Sequence, residues 1–319
     1  MFARGILVIS MDVELGWGFR DRNNIYNFLS QNGDFERHNF NEFLRLLKHY
    51  NINVTFAIVG HLIVEQCFHD SCRFDKWFAD WPCKSNKHHP LWYAPDLVES
   101  ILSMPQKHEI ASHSFSHIIF NNSKVDKNII RTDFTLWKAL AKKKGITLKS
   151  FVFPRNREAH LKFLREFGIK CFRGTIHCKQ LPRLPGMAIV NEFLGPTPSE
   201  VTLTKEGLVV IPSTSYPNLT SILLPQGKHV RSKYSRIVPA EVAQAIHFYG
   251  IKRAIIKTIK TRKVLHLWTH ESNLNEKQLP LIDRILRFVN IMRDKGILDI
   301  MTMGSLSEKF FSLQHKRET

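Results

Sequence analysis

Residues 5–14 read GILVISMDVE, an apolar run over 5–11 that leads straight into Asp12 and Glu14. A short continuous apolar run of this length predicts a strand buried on both faces, as in a parallel sheet. The chain then repeats the order strand, helix. Residues 39–50 predict a helix with Phe40, Leu44 and Leu47 on one face, 54–59 a strand, and 94–102 a helix opened by Pro95. Residues 109–112 predict a short strand, 125–144 a helix, 150–153 a strand stopped by Pro154, and 158–167 a helix closed by Gly168. Strands follow at 169–172, 208–211 and 264–269, with helices at 281–295 and 306–313. This alternation predicts an α/β fold on a mostly parallel sheet or barrel. Two stretches interrupt it: 61–93, with Trp77, Trp81, Trp92 and Lys87-His88-His89-Pro90, and 174–240, rich in proline with little period. The chain, 1–319, reads as one domain with insertions at these places.

Chemistry in parallel α/β folds sits at the carboxyl ends of strands. That rule selects Asp12-Val13-Glu14, His113 to His117, Pro154-Arg155-Asn156 and His270-Glu271. A parallel barrel brings all four to one rim. Asp12 and Glu14, two apart, face the same way on an extended segment, and one helical turn would project His113 and His117 from one side. One carboxylate with two neutral imidazoles leaves part of a zinc-like shell open for substrate. The other carboxylate is then the candidate base and His270 the candidate acid. Each piece has a plainer reading: a surface His pair, a capping and surface acid pair, a surface Arg155 and turn residue Asn156, and core residues His266, Trp268 and His270.

The net charge is +18, with a pI near 9.8. Residues 221–263 hold ten Lys/Arg against one acid, Glu241, a composition that attracts phosphates, nucleic acid or an acidic membrane face. Ile251, Ile255 and Ile259 follow one helical stripe there and Arg253, Lys257 and Lys260 another. Two readings follow: a core-packed helix with a charged outer face, or a helix lying on an anionic leaflet. No run approaches the roughly 20 apolar residues of a membrane span, and the opening is unlike a secretory signal, so the expected location is cytoplasmic, with peripheral contact at the inner membrane face as the second reading. Five scattered cysteines are expected to be reduced thiols. Cys67, His69, Cys72 and Cys83 fit no usual zinc spacing.

Five stretches resemble the polysaccharide deacetylases of the NodB-homology type, metal-dependent enzymes on an irregular (β/α)7-type barrel. They are VISMDVE, NVTFAIVG, KHEIASHSFSH, FVFPRN and VLHLWTH, scattered over residues 5 to 275. The resemblance implies that Asp12 is the base, that Glu14, His113 and His117 hold a divalent metal (zinc first), and that His270 is the acid. Trp268 takes the place of a leucine packed on the acyl methyl, the backbone N–H of Arg155 that of the oxyanion donor, and Asn156 and Trp17 join the substrate side. Three departures stand out. Glu14 replaces an aspartate, Lys107 a glycine, and the arginine usual two places before Pro154 is Val152. With its aspartate partner also absent, Arg155 becomes the candidate to tune the base, in a divergent branch.

PRN and HLWTHESNL resemble the branch tied to bacterial surface-polysaccharide synthesis, which implies an N-acylated sugar carried on a nucleotide or lipid phosphate. Trp77, Trp81, Trp92 and Tyr93 either cap the site or form a satellite apolar cluster. The competing classes are a non-catalytic polyanion- or membrane-binding barrel, a catalytically dead relative and a glycoside hydrolase. Asp12 and Glu14 lie too close in sequence to favour the last, and nucleic acid is not expected because no nucleic-acid motif accompanies the charge.

Overall fold

The computed structural model describes residues 2–64, 89–175, 186–213, 218–229 and 234–318, with side chains as far as His315. The strands are β1 (Gly5–Val13), β2 (Thr55–Ile58), β3 (Glu109–Ser112), β4 (Ser150–Phe151), β5 (Cys171–Thr175), β6 (Thr202–Leu203), β7 (Val209–Ser213), β8 (Val264–His270) and β9 (Leu298–Met301). They form one curled sheet in the order β6-β7-β5-β4-β3-β2-β1-β8, parallel except for the β6–β7 pair, with β9 beside the first half of β1. The helices are α1 (Asp34–Tyr50), α2 (Pro95–Leu102), α3 (Lys127–Lys143), α4 (Leu161–Glu166), α5 (Met187–Leu194), α6 (Ala240–Thr261), α7 (Gln278–Asp294) and α8 (Met303–Glu318). This is the barrel-like α/β architecture the alternation predicts.

Side-chain alternation sorts β1 between two cores. Leu7, Ile9 and Met11 join the large apolar cluster under the helices, while Ile6 and Val8 join a smaller one inside the curl. That inner cluster also holds Ala57, Ala111, Cys171, Ile211 and Val264, and Met303 and Leu306 of α8 close it from below. Further along the same faces the residues turn polar. Val8 gives way to Ser10 and Asp12, Val264 to His266, and Cys171 to Arg173, all buried. The interior therefore grades from hydrocarbon at the amino ends of the strands to ionisable groups at their carboxyl ends.

Some elements depart from expectation. Residues 174–240 supply α5, β6 and β7, so much of this stretch belongs to the barrel. Its helix is eight residues long and held between prolines and glycines, too short to show a period. Ile251 and Ile255 of α6 are buried and Ile259 packs against the core, burial that contributes roughly 1.5–3 kcal/mol per full side chain. The isoleucine stripe is therefore committed to the protein interior and is not a membrane face. Cys67, His69, Cys72, Trp77, Trp81 and Cys83 lie outside the described residues; Trp92 and Tyr93 are buried in the large apolar cluster.

Candidate active site

Register places the first acids beside the last histidine. β1 and β8 run parallel with Ser10 opposite Trp268 and Asp12 opposite His270. Past Val13 the chain turns sharply, with Leu15 at φ 39°, and buried Glu271 accepts the N–H groups of Glu14 (3.3 Å) and Leu15 (2.9 Å). Burial and the nearby Glu14 charge raise the Glu271 carboxyl well above the usual range. Gly18 leaves room for the Glu14 side chain, since a Cβ there would lie 2.1 Å from Glu14 Oε1.

His113 and His117 do not lie on a helical turn. β3 ends at Ser112 and the chain continues as a loop, with Ser114 (φ 64°) and His117 (φ 51°) in the left-handed region. The polar residues of KHEIASHSFSH explain why. Ser114 Oγ accepts the N–H groups of Ser116 and Ile118, which a helix would have bonded to backbone carbonyls. Asp133 of α3 accepts from Ser114 Oγ (2.9 Å), Phe115 N–H (2.8 Å) and Ser116 N–H (2.9 Å). Burial outweighs these donors and pushes its carboxyl up to about 6. Arg20 donates to the carbonyls of Ser116 (3.2 Å) and His117 (3.1 Å) from the other side. Asp133 and Arg20 were not apparent in the sequence as site residues; both act by fixing this loop.

The loop aims both imidazoles at one carboxylate. His113 Nε2 lies 3.2 Å and His117 Nε2 2.9 Å from Glu14 Oε2, and all three groups are buried. One ligand atom from each falls within 4.8 Å of the others. His113 Nδ1 sits 2.8 Å from the Val152 carbonyl, so it must be the donor there, which leaves Nε2 of the neutral ring with a lone pair facing the carboxylate. His117 Nε2 is buried with no aligned hydrogen bond. Burial lowers its pKa to about 4 against the opposing pull of Glu14, so this ring is neutral near pH 7. Burial alone would raise the Glu14 carboxyl, but the neighbouring His270 and His117, with His113 beside them, hold it well below the usual range. Two imidazoles and one carboxylate with their ligand atoms this close, and the outer nitrogen of His113 anchored to a carbonyl, fit a divalent cation.

Asp12 is outside this cluster. Arg173 of β5 clasps it with two hydrogen bonds of 2.6 Å, reaching across the curl although three strands separate β5 from β1 along the sheet. The guanidinium also donates to Asn156 Oδ1 (3.0 Å) and Ser10 Oγ (3.3 Å), and lies 4.3 Å from the Trp268 ring centroid. Burial would raise the Asp12 carboxyl, but Arg173, with help from His113 and His270, keeps it below the ordinary value. Arg173 thus holds the base where Arg155 was expected to. The Arg155 side chain turns outward to the Gly18 carbonyl (2.6 Å) and Asp21 (2.7 Å). A cation on the inward face of a strand, two places after inward-facing Cys171, was the available signal; the predicted strand ended one residue short of it.

His270 Nε2 lies 3.8 Å from Asp12 and 3.6 Å from Glu14. Asp12, Glu14, His113, Arg155, Asn156, Trp268 and His270 line one cavity of about 270 Å³ with Gly18, Phe19 and Ser272. All four strand ends selected from sequence therefore meet. Trp17 does not line this cavity: it is buried, donates its ring N–H to the Trp92 carbonyl (3.0 Å) and stacks on His61. It packs in the large apolar cluster. His266, bonded to Ser10 Oγ (2.9 Å), takes the core role.

Residues 31–170 match the family model described as polysaccharide deacetylase. Over that stretch, under half of its length, the chain is similar to the polysaccharide deacetylases. The matched stretch includes His113, His117 and Arg155 and stops short of Arg173 and His270. No curated protein sequence matches the chain. Similar solved structures include one from Mycobacterium smegmatis assigned as a polysaccharide deacetylase, with TM-score 0.63 and 15% identity over 98% of this chain and 93% of that one. Another, from Pseudomonas aeruginosa PAO1 with the same assignment, has TM-score 0.56 and 12% identity over 95% and 89%. The PuuE allantoinase gives TM-score 0.58 and 12% identity over 96% and 90%. At these identities the likeness establishes a shared fold.

Proposed function

We propose that this polysaccharide deacetylase relative is a metal-dependent hydrolase that removes an N-acyl group, acetyl foremost, from a sugar carried on a nucleotide or lipid phosphate. The observation behind the reading is the meeting of the Glu14–His113–His117 cluster, the Asp12–Arg173 pair and His270 on one cavity. A divalent cation held by the cluster would polarise the acyl carbonyl and acidify water. The chain's own groups do the rest. Asp12, kept ionised by Arg173, takes the proton of the attacking water, and His270 across the cavity protonates the departing sugar nitrogen. The backbone N–H of Arg155 is the candidate donor to the developing oxyanion, and Trp268 the wall against the acyl methyl. The small cavity suits one acylated sugar unit, and the net charge of +18 suits a phosphate-bearing carrier. We place this reaction in the cytoplasm, before export, in surface-polysaccharide synthesis.

Acetate release tests the reading. With zinc added, the protein is expected to liberate acetate from an N-acetylated nucleotide sugar or lipid-linked glycan. A chelator should stop the release and added metal restore it. Liberation of reducing sugar without acetate would instead establish glycoside hydrolysis, and silence on both substrate types with the metal site loaded would reject deacylation.

A further inference from the structure

Beyond the catalytic cavity, α5 and α6 present an outer face that the described residues leave uncovered. Val190, Phe193 and Leu194 of α5, spaced to share one side of the helix, are each more than two-fifths exposed. On α6 the buried side runs through His247, Ile251, Ile255 and Thr258, while Val242, Tyr249, Arg253 and Lys260 fall on the opposite stripe and are exposed. The two helices join at this surface: Phe193 stacks on Tyr249 with ring centroids 4.9 Å apart, and the Arg253 guanidinium lies 5.9 Å from both rings. Lys252 and Lys257 flank the stripe and Arg262 follows it, all exposed. Among the described residues none of these cations pairs with an acid, and the exposed acid of α6 is Glu241 in its first turn.

We infer that this ledge is a docking surface for a bilayer rich in anionic headgroups. The inference is independent of the deacylase reading. Charge complementarity selects the occupant. A second copy of a +18 chain would set the same cations against one another, so self-association on this face is opposed. A nucleic acid would neutralise the cations but leave Val190, Leu194 and Val242 facing water. A membrane interface satisfies both at once: aromatic and aliphatic side chains enter at headgroup level while Lys and Arg meet lipid phosphates. The contact is made by the face opposite the isoleucine stripe, so it needs no unfolding of the core.

Vesicle sedimentation with the whole chain decides it. Binding is expected to vesicles of mixed phosphatidylglycerol and phosphatidylcholine, weakening as salt rises, with little to phosphatidylcholine alone. Phe193→Ser with Tyr249→Ser, and separately Arg253→Glu with Lys257→Glu, should each lower the bound fraction on anionic vesicles by about tenfold or more. Arg253 and Lys257 are exposed, so the melt of the charge variant should stay near wild type, while loss of the Phe193–Tyr249 stack should lower the melt of the other slightly without unfolding it. Absence of binding to anionic vesicles overturns the inference. So does binding that both double variants retain, or a concentration-dependent dimer that either variant dissolves.

Discussion

Replacing Asp12 with Asn is expected to lower kcat about 10²–10⁴-fold while bound metal and KM stay close to wild type. The amide keeps the size of the carboxylate and its oxygen can still accept from one Arg173 nitrogen, but the buried guanidinium loses its second bond and its counter-charge, so a loss of stability is expected beside the loss of the capacity to take a proton; the Glu14–His113–His117 side chains are unchanged. Steady-state kinetics with metal analysis of the same preparation checks this. Loss of metal along with activity would place Asp12 among the ligands, where the geometry does not put it: both of its oxygens are engaged by Arg173.

Arg173→Met is expected to have the second largest effect, on both pH dependence and stability. In the wild type, burial works to raise the Asp12 carboxyl and Arg173 leads the groups that bring it below its usual value. A carboxyl depressed by folding adds stability above its unfolded pKa of ~3.9, and that stability is lost as the pH falls through the folded value. With the guanidinium gone, burial dominates and the folded pKa rises. The acid limb of kcat/KM should therefore move to higher pH than in wild type. The variant should also lose stability at neutral pH, where charged Asp12 is buried without its partner; breaking such a pair costs about 3–5 kcal/mol. Denaturant titration at neutral and acid pH measures the second effect, with the gap from wild type narrowing once Asp12 is protonated in both. An unchanged acid limb would show that another group fixes the charge of the base. Arg155→Met, whose side chain faces Asp21, should leave that limb in place.

Much of this arrangement was legible in the sequence, because strand ends obey a simple rule. Strand β1 is buried on both faces, so its run of uncharged residues is continuous and its first acids mark the rim. That rule with the spacing of KHEIASHSFSH selects His113, His117 and one acid of the Asp12 and Glu14 pair, and the family resemblance implied that the acid is Glu14. The local conformation of 113–117 did not follow, because hydrogen bonds from Asp133 and Arg20, both remote in sequence, select a loop over a helical turn. Arg173 was hidden for a related reason. Its partner lies across the curl of the sheet, a contact set by closure and invisible to local period. Trp17 shows the converse: it adjoins the acids in sequence, yet its ring packs on His61, bonds the Trp92 carbonyl and is not among the residues lining the cavity. The charge of 221–263 was plain, but which side of α6 it occupies depended on where Ile251 and Ile255 were buried.

The central claim is that Glu14, His113 and His117 grip one divalent cation. Anomalous diffraction at the zinc edge, from crystals grown with zinc, tests it most directly. The account predicts one strong peak per chain, about 2.0–2.2 Å from His113 Nε2, His117 Nε2 and a Glu14 carboxylate oxygen, with Asp12 still held by Arg173. A zinc peak bound elsewhere, or none between these three side chains at saturating metal, would contradict it.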